Sequence, residues 1–463
     1  MQRIHFIGIG GAAMTNLAIA LKKTYNNEQH QYIISGSDDH IEDPTYSMLK
    51  NHYLLPEHFG WFPQKITHSI ETIIIGAKIT PDNPELVEAY KLNIPVMPYH
   101  EFVAQFSKNK TRIVITGAYG KNTIAAMVLH VLSYFSKEID FMLTSPVFGY
   151  TETIRLSNSD TIIIEAGEEL TSQCDSRIRL EVFQPHIGLI TGISWEERKQ
   201  QFDSYKKYVE LYRNFIHSIP EHGTLIYNTT DKEVRKIIAE ELETIVDLTP
   251  YTTHPYEVFG NRTYLKIAGG RLPILIFGEH NMRNVSAAQK ICLKLGLSND
   301  AFYQAFKSMK GSNKHLQILA KNTNTSIYFD YTYSPVKLKY TIKAIREQYT
   351  NRGLAACLEL NANDSIHDLL NKDCEGALNL ADEKLVYYNP ELFKKKGLPQ
   401  VSKQQICETF GSAKIKVFTN RDDLLAELFT MSWEKKNLLF VSDNQNTELN
   451  MKEIAERIMA LSS

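Results

Sequence analysis

The chain has 463 residues, 43% hydrophobic and 22% charged, with a formal net charge of -2. That is ample apolar material for two to four domains at ~100–200 residues each. A balance so near neutral argues against nucleic acid or an anionic membrane surface as a partner.

The five cysteines (Cys174, Cys292, Cys357, Cys374, Cys407) are scattered, odd in number and form no C-x-x-C pair. Reduced thiols in a cytoplasmic protein fit that pattern, and a cysteine metal site does not. The opening MQRIHFIGIG runs into a strand without a basic-then-apolar leader. No apolar run reaches the ~20 residues of a membrane helix. A cytoplasmic location without membrane insertion is the expectation.

In chain order, short apolar runs alternate with helical stretches. Ile4–Ile9, Tyr32–Ser35 and Thr72–Gly76 read as strands, and Gly11–Lys22, Pro44–Asn51 and Pro84–Lys91 as helices. Such alternation predicts βαβ units on a parallel sheet. Ser107-Lys108-Asn109-Lys110 reads as a linker. A second block follows, with strands at Arg112–Ile115, Thr161–Glu165 and His186–Thr191, a helix over Asp203–Ser218, and a β-meander over Glu257–Phe277. Gly278–Leu295 reads as a loop leading into a helix. After a second polar seam at Gly311–Lys314, a third block has strands at Ser326–Asp330, Gly353–Leu360, Lys384–Tyr388, Lys416–Phe418 and Asn437–Ser442. Three α/β domains are expected, over residues 1–108, 109–312 and 313–463.

Several strand ends carry chemistry-bearing residues. GIGGAAM (Gly8 to Met14) gives G-x-G-x-x-A through Gly8, Gly10 and Ala13, with Gly11 beside them. Such a turn brings backbone N–H groups and a helix N-terminus to a diphosphate. Asp38 and Asp39, in SGSDD at the end of the next strand, sit where an acid often meets a ribose, with Ser37 just before them. A nicotinamide-dependent oxidoreductase is one reading of this turn, but it leaves the later blocks unexplained. TGAYGKNT (Thr116 to Thr123) has the form of a shortened phosphate loop, with Lys121 placed for terminal phosphates and Thr123 opening the next helix. An ordinary strand-turn-helix is its bland alternative. IIIEAGEE sets Glu165 and Glu168 at a strand's C-terminal end, either as oxygen ligands for Mg²⁺ or as a solvated acidic turn. His280, Asn281 and Asn284 in FGEHNMRN, and Asp330 in YFDYTYSP, read alone as helix-cap or surface polar groups.

Taken in order, these motifs resemble the Mur ligase family, across essentially the whole chain. The family's N-terminal signature falls on Gly8–Met14, its ATP loop on Gly117–Thr123, its metal-binding acid on Glu165, its H-N-x-x-N on His280, Asn281 and Asn284, and its C-terminal aspartate on Asp330. Lys78–Leu86 is similar to a loop near the uridine. The chain looks most like the branch acting on murein tripeptide, with the alanine-adding branch a near neighbour.

The resemblance implies a Rossmann-like UDP-sugar domain, a P-loop-type central ATPase domain and a Rossmann-like domain for the amine substrate. It implies ATP and Mg²⁺ as cofactors, with UDP-N-acetylmuramate and an amino acid or peptide as substrates. Lys121, Glu165 and His280 would be catalytic. Gly117, Gly120, Lys121, Asn122, Thr123, Asn281, Asn284 and Asp330 would hold ATP, and Gly8, Gly10, Gly11, Ala13, Ser37 and Asp38 the UDP-sugar. Asn122, Glu165 and Glu197 would hold the metal.

Five departures fall on that chemistry. Asn122 replaces a threonine, Tyr119 stands where histidine is common, and Glu197 replaces a histidine. Lys314-His315 replaces an arginine pair, and Tyr333 and Ser334 replace two histidines. Two readings follow: an active ligase with altered ligands, or a non-catalytic relative that binds a UDP-muramoyl ligand for regulation or scaffolding.

Overall fold

The computed structural model describes residues 2–24, 32–195, 201–241, 246–310, 316–331, 335–360, 374–442 and 449–462. The chain divides into two compact units. One holds residues 1–253 with 283–306, and the other 254–282 with 307–463. Among the substituted positions, Glu197, Lys314, His315, Tyr333 and Ser334 lie outside the described residues.

Among the described residues the first unit contains two large sheets and a two-stranded hairpin. Strands β1 (Gln2–Ile7), β2 (Tyr32–Ser37), β3 (Thr72–Ile75) and β4 (Val96–Pro98) pair in parallel in the order β2-β1-β3-β4. Helices α1 (Ala12–Thr24), α2 (Thr45–Asn51), α3 (Pro84–Lys91) and α4 (Tyr99–Phe106) connect them. Asn83 caps α3 by accepting from the Glu85 and Leu86 N–H groups, and Pro84 follows at its first turn.

The second sheet starts at β5 (Thr111–Thr116), whose Ile113, Val114 and Ile115 are fully buried. A continuous apolar run is what a strand covered on both faces requires. After α5 (Lys121–Tyr134) come β6 (Asp140–Met142), β7 (Ile154–Arg155), β8 (Thr161–Glu165), the hairpin β9 (Leu170–Ser172) and β10 (Asp175–Ile178), α6 (Arg179–Val182) and β11 (Ile187–Ile190). Then follow α7 (Tyr205–His217), β12 (Thr224–Asn228), α8 (Lys232–Glu240) and β13 (Asp247–Tyr251). The seven-stranded order is β13-β12-β11-β5-β8-β6-β7, parallel except for β6-β7.

The polar stretch Ser107–Lys110 is a packed turn. The Ser107 hydroxyl is buried and donates to Val103 O at 2.7 Å. Lys110 Nζ reaches Asp140 Oδ2 at 2.8 Å and Ser157 O at 2.7 Å. Asn16 of α1 accepts from Thr153 N at 3.0 Å, and Gln173 N donates to Ala77 O at 3.1 Å. The two sheets of this unit are therefore joined by side-chain and main-chain bonds far from the 107–110 turn.

The second unit has a three-stranded antiparallel sheet of β14 (Tyr256–Phe259), β15 (Arg262–Ile267) and β16 (Gly270–Ile274), the expected meander. Helix α9 (Glu279–Lys294) begins directly after Gly278, with no loop between; its residues from Arg283 on, and α10 (Asn299–Phe306), belong to the first unit. Strands β17 (Gln317–Lys321), β18 (Ser326–Asp330), β19 (Gly353–Leu360), β20 (Glu383–Tyr388), β21 (Lys416–Phe418) and β22 (Lys436–Val441) form a sheet in the order β17-β18-β22-β19-β20-β21. Only β17 is antiparallel. Along β19, Leu354, Ala356 and Leu358 enter one apolar cluster with helix α11 (Pro335–Gln348), while Ala355 and Cys357 enter another with Trp433 and Ile454. That alternation is the two-residue period of a sheet covered on both faces. Mixed α/β architecture on parallel sheets is the fold, as expected. No helix among the described residues is long and apolar enough to cross a membrane.

Asp140 is fully buried and Lys110 nearly so. Removing one partner of such a pair strands the other charge, at about 3–5 kcal/mol. Lys110→Met should lower the stability of the first unit by about 3 kcal/mol in urea unfolding. A loss under ~1 kcal/mol would show the turn to be a dispensable linker.

Candidate active site

At the end of β1 the glycine turn is satisfied from within. Gly8 N and Ile9 N both donate to Ser37 O, at 2.8 and 3.2 Å, and Gly11 N donates to Gly8 O at 3.3 Å. Gly10 N donates to Asp38 Oδ2 at 2.8 Å. A β-carbon on Gly10 would stand 2.9 Å from that oxygen and 2.7 Å from Ile41, so only glycine fits. Burial raises the Asp38 carboxyl above its ordinary value against the pull of the Gly10 and His40 N–H groups. Asp38 thus clamps the turn through Oδ2. The N–H groups left to meet a diphosphate are those of Ala12, half-buried Ala13 and Met14, ahead of the first helical bond from Thr15 N to Gly11 O.

Beneath this turn lies a buried pair. Glu85 Oε2 accepts from His5 Nε2 at 3.2 Å, and Glu85 Oε1 accepts from Phe62 N at 2.7 Å. His5 Nδ1 is 2.8 Å from the Ser35 hydroxyl. Since a carboxylate only accepts, Nε2 carries a proton. Burial pushes Glu85 up, but the His5 ring and the Phe62 N–H outweigh it and hold the carboxyl below its ordinary value.

The central site forms where the loops after β5, β8 and β11 meet at the C-terminal edge of the sheet, the usual place for ligands in such sheets. Gly117 has φ 112° and Gly120 φ 82°, a region that side chains rarely adopt. A β-carbon at Gly117 would lie 2.5 Å from Thr191 Oγ1 and 2.6 Å from Gly192 O, and one at Gly120 would overlap the Asn284 carboxamide. Ala118 N donates to Gly192 O at 2.9 Å. Lys121 opens α5 and its Nζ donates to Gly117 O at 2.6 Å, folding the cation over the loop. Thr123 stands half-buried in the same first turn.

Glu165 ends β8 and is 6% exposed. Its Oε2 accepts from Thr144 N at 3.0 Å and from the Thr144 hydroxyl at 2.9 Å. Asn122 Nδ2 donates to Ser145 O at 3.0 Å and points at Glu165 Oε2 at 3.5 Å. The Ser145 carbonyl can only accept, so it fixes the amide with its NH₂ towards the acid and its oxygen turned away. The glycines, Lys121 and Asn284 fit the phosphates of a nucleotide. Glu165 fits as one carboxylate for Mg²⁺, whereas Asn122 presents a donor where a ligand oxygen is needed. Among the described residues no three acidic, histidine or cysteine side chains converge as a metal cage. Mg²⁺ in nucleotide sites commonly uses one or two carboxylates plus phosphate oxygens.

The structure brings Gly117, Gly120, Lys121, Asn122, Glu165 and Asn284 together. His280, Asn281 and Asp330 belong to the second unit. There Asn281 Nδ2 donates to Phe277 O at 2.9 Å, and the His280 ring lies 6.0 Å from that of Tyr340. Asp330 is buried, and its Oδ2 accepts from the Thr341 hydroxyl at 2.8 Å. Sequence reasoning missed Thr144, Ser145, Thr191 and Gly192, which hold the acid and brace the loop. Thr191 was marked only as a strand end, and no motif distinguishes the others.

The Mur ligase middle domain matches residues 115–292, and the Mur ligase family catalytic domain matches residues 57–111. The chain is 27% identical over 443 residues to a UDP-N-acetylmuramate–L-alanine ligase of Clostridium kluyveri, spanning 91% of this chain and 90% of that one. Its fold is similar to that of the UDP-N-acetylmuramate-alanine ligase MurC from Thermotoga maritima, with a TM-score of 0.65 at 18% identity over 100% and 98% of the two chains. A murein peptide ligase from Psychrobacter arcticus gives 0.61 at 16% identity, over 100% and 98%. The chain belongs to the Mur ligase family.

Gly120→Ala forces a β-carbon into Asn284 at a positive φ, so nucleotide affinity should fall at least about tenfold in a fluorescent ADP titration. Unchanged affinity would remove the loop from the site. At Glu85, the folded pKa lies below the unfolded one, so its stabilisation is present above the unfolded carboxyl range and lost as pH falls through the folded value. Glu85→Gln should lower the melting temperature at pH 7 by roughly 5 °C and flatten its decline between about pH 5 and 3. An unaltered acid limb would show the pair to be uncoupled from stability.

Proposed function

We propose that the protein is an ATP-dependent ligase of peptidoglycan precursors, joining the carboxyl of UDP-N-acetylmuramate to the amine of an amino acid or peptide. The observation that carries the reading is the commitment of Gly117 and Gly120 to a phosphate loop closed by Lys121, with Glu165 and Asn284 in the same corner. In this reading residues 1–108 hold the UDP-sugar through the α1 N-terminus, residues 109–312 hold ATP, and residues 313–463 hold the amine substrate. The family's H-N-x-x-N and C-terminal aspartate positions fall on His280, Asn281, Asn284 and Asp330, and the reaction is cytoplasmic.

The muramoyl carboxylate attacks the γ-phosphorus, the bond to the β-phosphate oxygen breaks, and ADP leaves an acyl phosphate behind. The neutral amine then adds to the acyl carbon, and the tetrahedral intermediate collapses with loss of phosphate and a proton. Lys121 offsets charge on the transferring group, and the loop N–H groups with the α5 N-terminus orient it. Mg²⁺, when bound beside Glu165, supplies further charge neutralisation. Catalysis here is chiefly placement and charge compensation.

Nothing in the site favours a nicotinamide enzyme, since Asp38 is engaged by Gly10. The non-catalytic reading rests on the departures at Tyr119, Asn122, Glu197, Lys314-His315 and Tyr333-Ser334 together. Phosphate release from ATP with Mg²⁺ and UDP-N-acetylmuramate decides between the readings, with L-alanine as acceptor in one series and L-alanyl-γ-D-glutamyl-meso-diaminopimelate in the other. Release that needs all components in one series is expected, and it also identifies the acceptor. No release in either, with UDP-sugar binding intact by calorimetry, would replace the ligase with a binding protein. Asn122→Thr should raise Mg²⁺-dependent ATP affinity by about tenfold, and more when combined with Glu197→His. No gain from either variant would show that Asn122 already serves as an adequate ligand.

A further inference from the structure

Glu168 lies three residues beyond Glu165 and is 2% exposed. Its surroundings are not those of a metal ligand. Oε1 accepts from the Tyr208 hydroxyl at 2.9 Å and from the Tyr212 hydroxyl. The two tyrosines stand one turn apart on α7, so a single carboxylate oxygen fixes two neighbouring rings of one helix face. The Tyr208 hydroxyl also accepts from Ser194 N at 3.3 Å, and its ring packs on Trp195 at 5.7 Å.

Ser194 and Trp195 end the segment that starts at Thr191. Thr191 N donates to Thr116 O at 3.0 Å, and Gly192 O receives Ala118 N at 2.9 Å. Bonds therefore run without a break from Glu168 through Tyr208 and Ser194 to Gly192, and from there into the phosphate loop. A buried carboxylate is costly unless charge-assisted hydrogen bonds compensate it, and an apolar side chain would pack there more cheaply. What a carboxylate adds is the capture of two hydroxyl protons on one atom. Burial, reinforced by the Glu168 charge, raises both phenols well above their ordinary values, so both stay protonated donors.

We infer that Glu168 is a positioning residue for the nucleotide site: by fixing Tyr208 it sets the 191–195 segment that braces the phosphate loop. The inference rests on Gly117–Lys121 being the ATP site of the proposed ligase.

The test is amide hydrogen exchange at Ala118 in the full-length chain, with fluorescent ADP titration and steady-state kinetics beside it. Tyr208→Phe removes the hydroxyl but keeps the ring, and Glu168→Leu removes the acceptor. Each should speed exchange at Ala118 and raise the ADP dissociation constant by about tenfold, the loss expected for a hydrogen bond to a charged group. Glu168→Gln keeps an acceptor oxygen and should change both by less than about threefold. Among active variants KM for ATP should rise in the same order while kcat holds within about twofold.

Unchanged exchange at Ala118 in both Tyr208→Phe and Glu168→Leu would overturn the inference. So would a Glu168→Gln variant that loses kcat with Ala118 exchange intact, because the charge would then act on substrate or metal directly. If Glu168→Leu does not fold, Tyr208→Phe alone decides. Exchange needs no turnover, so an enzyme inactive in every series would sink the ligase reading while leaving this measurement interpretable.

Discussion

Everything at the central site depends on a turn in which two positions have no room for a β-carbon. Gly117 is wedged against Thr191 and Gly192, and Gly120 against Asn284. Those neighbours come from the loop after β11 and from α9, so the turn keeps its shape only when strands far apart in sequence are in register. Because β5 lies between β11 and β8, one flank delivers the brace and the other the acid Glu165. The phosphate loop is the point at which the fold of the first unit is tested most severely, since a displacement of either neighbour strand reaches it directly.

The glycine turn after β1 is governed by a different economy of hydrogen bonds. Its N–H groups from Gly8 to Gly11 are answered by Ser37, Asp38 and Gly8 itself. The same motif grammar thus has two outcomes in one chain. At the phosphate loop a cation lies over the main chain. At β1 an acid fastens the turn, and in the proposed ligase the anion would be left to the N–H groups at the start of α1. The Asn16–Thr153 and Gln173–Ala77 bonds tie that region to the central sheet, so in the proposed ligase the two sites would keep a fixed separation within the unit. Transfer chemistry between two bound substrates needs such fixity, because its rate depends on alignment to within fractions of an ångström.

Much of this was legible in the sequence because buried parallel strands are written as continuous apolar runs. Thr161–Glu165, Ser326–Asp330 and Gly353–Leu360 were read with the bounds the structure shows, since polar or turn residues close each run. Short strands such as β7 and β6 carry too little periodicity to be seen, although the three residues of β21 were read with their bounds. Longer β12 and β13 were also overlooked, as was the antiparallel edge β17, whose half-exposed QILAK has no such run. Ser107–Lys110 looked like a linker because composition cannot show that Lys110 finds Asp140 thirty residues on. The same limit applied at the sites. A motif identifies which acid stands at a strand end but not the protein groups that hold it, and the sequence around Asp38 and Glu168 does not show theirs. Their actual partners, Gly10 and the two tyrosines of α7, lie 28 to 44 residues away in sequence.

Asn122 is where composition and geometry must be weighed together. A threonine hydroxyl can turn its lone pairs to a cation while donating elsewhere, because one atom does both. An amide separates the two functions, and the Ser145 carbonyl holds the donor end towards Glu165. For a cation to take the Asn122 oxygen, the amide must rotate and give up that bond. A neutral, partly buried hydrogen bond contributes only about 0.5–1.5 kcal/mol net, or roughly a factor of three to ten in affinity. The phosphate loop offers several N–H groups and a lysine charge, each contributing on a similar or larger scale. In the proposed ligase the substitution would therefore weaken the metal's hold without dismantling the nucleotide site, and a site weakened by that amount would still fill at a correspondingly higher concentration of Mg-ATP.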